Sequence, residues 1–86
     1  MHTVELLDHA QRLAELLGFR IRQEWLGGSG GGVCEFAGQR WIFVDLAQST
    51  VEQLDQVIQA VSEDPAVVIV PVHPALRRLL NQRAAA

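Results

Sequence analysis

Leu6, Leu7, Ala10, Leu13, Ala14 and Leu17 recur at the three- and four-residue spacing of one helix face, with His9, Arg12 and Glu15 on the opposite, solvated side. Thr3 is placed to cap this helix. Glu5 and Asp8 fall in its first turn, where the macrodipole favours acids, and Gly18 ends it as the residue that turns left-handed. From Phe19 the period changes to two: Phe19, Ile21, Gln23 and Trp25 alternate with Arg20, Arg22, Glu24 and Leu26, the pattern of a strand with one buried face. Gly27-Gly28-Ser29-Gly30-Gly31-Gly32 interrupts it, and Val33 to Phe36 and Arg40 to Leu46 follow as two more strands. A tight turn at Gly38-Gln39 pairs Phe36 with Trp41 and Cys34 with Phe43; Ala37-Gly38 is the alternative loop, with the register slipped by one.

Ser49-Thr50-Val51-Glu52 fits a capping box, Ser49 at the N-cap and Glu52 reaching back. Behind it Val51, Leu54, Val57, Ile58 and Val61 make one apolar stripe, so a helix runs to about Ser62 before Glu63-Asp64-Pro65 breaks it. Ala66-Val67-Val68-Ile69-Val70 is a continuous β-branched run of the kind found in a strand covered on both faces. Pro74 then opens a last helix carrying Leu76, Leu79 and Leu80. The order predicts one α+β domain over residues 1 to 86, α-β-β-β-α-β-α. Its sheet is mostly antiparallel, with the last strand parallel to the strand at 40 to 46, and the first two long helices cover it.

Composition adds a partner to this picture. An apolar share of 49% against 20% charged residues, in a chain of 86, leaves apolar surface after one small core is filled, which predicts a homodimer or a protein partner. The net charge of −3 is uneven: all ten acids lie before Pro65, and the last three arginines lie after it. An acidic body with a short basic tail lacks the broad cationic face that nucleic acid requires, so no nucleic-acid partner is expected. There is no lysine, which removes lysine catalysis and the P-loop lysine. With one cysteine, no leader-like start and no apolar run long enough for a bilayer, the expected setting is the cytoplasm, without a membrane partner.

The glycine stretch fits neither phosphate motif, since Val33 stands where G-x-G-x-x-G needs glycine and a strand follows where a helix should begin. Two readings stay open: a flexible connector, or a nest of backbone N–H groups for a carboxylate or phosphate. Cys34 reads as an inert, buried strand cysteine, with its place directly after the glycines as the one pointer to a reactive thiol, and His73, between Pro71 and Pro74, as a partly exposed capping or turn residue. Asp45 ends a strand, where it starts the next turn or, with Glu35, offers a pair of carboxylates. Three scattered histidines and one cysteine have no metal-ligand spacing, so no metal and no cofactor is expected. Arg77, Arg78 and Arg83 make the last helix basic, either as an ordinary docked helix or as one that meets a partner.

In element order the chain resembles the N-terminal half of small bacterial zincin-like metallopeptidases: a helix, Gly18-Phe19 into a strand, a glycine-containing hairpin, Trp41-Ile42-Phe43-Val44-Asp45, and a helix led by Ser49. The likeness covers roughly residues 3 to 62. That family carries His-Glu-x-x-His on the last of these helices; here Val51 to Ala60 contains no histidine, so the resemblance implies a catalytically empty relative with no zinc ligand. The chain also resembles short, uncharacterised bacterial conserved proteins with a Gly-Gly-Ser-Gly-Gly-Gly stretch, which implies no activity. The expectation is a non-enzymatic binding or interaction module, with Trp25, Leu26, Gly27, Gly28, Ser29, Gly30, Gly31, Gly32 and Cys34 as contact surface. The alternative is a small enzyme, or an anion or nucleotide sensor, that gathers Cys34, His73 and Asp45 at the loop.

Overall fold

The computed structural model describes residues 2 to 85. Helix α1 spans Thr3–Leu16, with Ala10, Leu13 and Ala14 buried. His2 occupies the N-cap, without a side-chain cap, and its carbonyl accepts from Leu6 at 3.0 Å; Thr3, expected as the cap, is the first helical residue. Leu17 closes the helix, and Gly18 turns the chain out at φ +95° as expected.

Strand β1 runs Phe19–Glu24, β2 Gly32–Phe36 and β3 Gln39–Asp45, in the order β1-β3-β2. β1 lies parallel to β3, with Phe19 opposite Arg40, and β2 lies antiparallel to it. The sheet is therefore mixed, with β3 in the centre. The hairpin closes through Ala37-Gly38, which places Phe36 opposite Gln39 and Cys34 opposite Trp41 and corrects the expected pairings with Trp41 and Phe43. Both loop residues have positive φ, +52° and +76°, the paired left-handed conformation whose twist suits a two-residue hairpin. Because the register moves by two positions, every side chain keeps its expected face.

Helix α2 spans Thr50–Ser62 and starts with the capping box: Glu52 N donates to Ser49 Oγ, and Ser49 N to Glu52 Oε1, each at 3.2 Å. The strand expected at 66 to 70 is absent. Residues Pro65–Val68 form a 3-10 turn, because Asp64 accepts the Ala66 amide at 2.9 Å and Pro65 presets the first helical φ. Val67 is buried, while Val68 and Ile69 point outward, Ile69 at 81% exposure. The parallel pairing assigned to that segment is supplied by β1. Helix α3 spans Pro74–Ala85 and buries Leu76 and Leu80.

Two layers result. α1 and α2 lie together on one face of the sheet over Phe19, Ile42 and Val44, and α3 packs against both helices. Arg40 points to this side: its guanidinium meets Asp64 at 2.9 Å, donates to the Leu17 carbonyl, and lies 4.0 Å over the Phe19 ring. One side chain thus joins the end of α1, the start of β1 and the turn after α2. No helix among the described residues is long and apolar enough to cross a membrane.

Candidate functional site

The glycine stretch is folded around a carboxylate. Asp45 ends β3 fully buried, accepting from Leu26 N at 3.0 Å and Ala47 N at 2.9 Å through Oδ1, and from Gly30 N at 3.0 Å through Oδ2. Burial pushes the Asp45 pKa up, but the amides of Ala47, Leu26, Gly30 and Gly28 outweigh it and hold the carboxyl below its ordinary 3.8. Of the three amides that donate to Asp45, one, Gly30, belongs to the glycine stretch, and the other two flank it in space from Leu26 and Ala47. Ser29 adds a local turn, its Oγ donating to the Leu26 carbonyl at 2.8 Å.

Gly27, Gly28 and Gly30 have φ of +71°, +83° and +86°, which a side chain rarely adopts. Gly31 is required for another reason: a Cβ there would overlap the Phe43 carbonyl oxygen, which already accepts from Gln56 Nε2 at 3.0 Å. Only Gly32 has neither constraint, since open space surrounds its missing Cβ. Trp25, at the mouth of the loop, is 75% exposed, and Leu26 is exposed beside it.

The structure does not gather Cys34, His73 and Asp45. Cys34, expected to be buried, is exposed on β2, because it lies on the sheet face that no helix covers, and its thiol is directed at the Glu35 carbonyl, 3.8 Å away. His73 caps α3, its Nδ1 accepting from Ala75 N at 3.1 Å, and its ring lies 4.7 Å from that of His9 on α1. Asp45 has its oxygens committed to backbone amides. Glu35 stands opposite Arg40, five positions along β3 from Asp45, so the carboxylate pair is not formed either. Among the described residues no three His, Cys, Asp or Glu side chains are grouped to hold a metal ion.

A different surface emerges on the side of the sheet away from the helices. Strand alternation sends Arg20, Arg22, Trp41, Phe43, Cys34 and Phe36 to this face. Trp41 and Phe43 stack with centroids 6.4 Å apart, Arg20 lies 5.7 Å from the Trp41 ring, and Phe36 is 71% exposed. Arg22, Cys34, Phe36, Trp41 and Phe43 line a shallow, mainly apolar groove there. Sequence reasoning passed over this groove, although Trp41-Ile42-Phe43-Val44 is apolar on both faces and both long helices cover one. A second apolar cleft, between α2 and α3, is bridged by Arg83 and Asp55 at 3.3 Å. No family model matches the chain, and no curated protein and no solved structure matches it.

Proposed function

We propose that the chain is a non-enzymatic interaction module that works as a homodimer and receives a protein segment on the open face of its sheet. The groove of Phe36, Trp41, Phe43 and Cys34 beside Arg22 carries this reading, because an exposed Phe36 next to the half-buried rings of Trp41 and Phe43 is aromatic surface that a docking partner can bury. Arg20 and Arg22 face one acid there, Glu24, which Arg22 already engages. A segment with apolar side chains next to a carboxylate matches both the rings and the guanidinium groups. The chemistry of the loop supports the same reading, since Asp45 is spent on holding backbone and the Cys34 thiol is directed at the Glu35 carbonyl, which is not a base.

Selection of displayed peptides against the immobilised protein tests it. Enriched peptides should be apolar with an acid, and should lose binding to Trp41→Ala and Phe43→Ala variants whose circular dichroism is unchanged. Enriched peptides indifferent to both substitutions, or turnover of a hydrolase substrate panel abolished by Cys34→Ser, would overturn the reading.

A further inference from the structure

We propose that two copies of the chain join through β2, antiparallel and centred on Cys34, so that their sheets become one continuous six-stranded sheet. The inference gives the homodimer of the preceding reading its interface.

The two edges of the sheet differ. β1 carries Arg20, Arg22, Gln23 and Glu24 among its six residues, the charged dressing that discourages further pairing. β2 carries one charge, Glu35, with no proline, lysine or bulge, and its Val33 is 54% exposed. No strand among the described residues other than β3 pairs with it. With Phe36 and Gln39 closing a two-residue loop, Gly32, Cys34 and Phe36 direct their N–H and C=O groups to β3, while those of Val33 and Glu35 point outward. These outward groups are unsatisfied by the sheet.

A two-fold axis at Cys34 uses the whole strand. Val33 then faces Glu35 of the second copy and exchanges ladder hydrogen bonds with it, roughly four in total. The two Glu35 carboxylates stay apart. Phe36 falls opposite Gly32 of the second copy, and this register accounts for the one loop glycine that its own chain leaves unexplained: with no side chain at Gly32, the Phe36 ring lies across it toward Phe43, the β3 residue paired with Gly32. The two grooves then run together into one aromatic surface. The Cys34 residues form a non-hydrogen-bonded pair, with Cα atoms about 4.5 Å apart.

The test is sedimentation equilibrium of the full chain at micromolar concentration, for wild type, Gly32→Val and Val33→Lys. The Cβ of a valine at Gly32 meets open space in the monomer, and its branched side chain occupies the slot for Phe36, so the dimer dissociation constant should rise about tenfold or more, with circular dichroism unchanged. Val33→Lys should do the same through the edge. Diamide should link the wild-type copies rapidly: two Cys34 thiols give up two protons and two electrons to its N=N bond, leaving one disulfide and a hydrazine, and Gly32→Val should slow this in proportion. A monomeric wild type, or a dimer untouched by both substitutions, overturns the proposal. Peptide binding retained by monomeric Gly32→Val or by a monomeric wild type leaves the docking face standing, so the two readings fail separately.

Discussion

Asp45 reaches back fifteen positions to hold the Gly30 amide at 3.0 Å, and nineteen positions to hold that of Leu26 at the same distance, so one carboxylate closes the glycine loop from inside. Asp45→Asn puts an amide N–H against one of these donors and leaves a buried group unmatched. The melting temperature should fall, and the Leu26 and Gly30 amides should exchange with solvent about tenfold faster or more. Hydrogen exchange by NMR checks both amides directly. Unchanged protection at Gly30 would mean that the loop is held by something other than Asp45.

Acid should unfold the protein through two aspartates. Asp64 is held below its ordinary 3.8 by the Ala66 amide and the Arg40 guanidinium, and Asp45 is held below it by the loop amides. Each folded-state value is depressed, so the unfolded chain binds the proton first. The stability they contribute is complete well above 3.8 and is lost as pH falls through the folded values. Urea midpoints measured between about pH 6 and pH 2 should drop at the acid end, and Asp64→Asn should flatten that drop.

The glycines of the loop are not equivalent. Gly31→Ala should be the costlier, at about 3 kcal/mol or more, because the new Cβ must displace the β3 backbone at Phe43. Gly28→Ala has room but keeps a positive φ, for about 1–2 kcal/mol. Chemical denaturation of the two variants ranks them; equal costs would contradict the close approach at Gly31.

Two apolar residues of the C-terminal half should behave oppositely. Leu76 is buried beneath α3, and Leu76→Ala should cost about 2–5 kcal/mol. Ile69 stands in solvent, so Ile69→Lys should change stability by no more than about 0.5 kcal/mol. It should also slow aggregation on heating, read by light scattering, because it puts a charge into the exposed pair Val68-Ile69 of a β-branched run.

The sequence carries the α+β class and the helices with little loss, since these rest on local signals. Ser49 and Glu52 sit three residues apart and cap each other, and Gly18 has the one conformation that ends α1. The hairpin faces were legible and its register was not, because alternation has period two and a shift of two leaves the pattern unchanged. Ala66 to Val70 misled through composition: Asp64 and Pro65 start a helical turn locally, and β1 supplies the parallel partner that β3 takes. Asp45 read as the start of a turn, and its Ala47 bond is that turn. Its hold on Gly30 depends on where the chain returns in space, which no spacing along it encodes.

Placing β3 between its neighbours has a consequence for biosynthesis. β1 precedes both other strands in the chain and, among the described residues, pairs only with β3, so Phe19 and Ile21 leave the ribosome after α1 and before their sheet partner. The β2–β3 hairpin can close by itself, and β1 docks on it afterwards, in the same event that brings Leu26 and Gly30 onto Asp45. Nascent chains halted before Asp45 should therefore be open to proteases throughout β1, and protection should arrive in one step once β3 has cleared the exit tunnel.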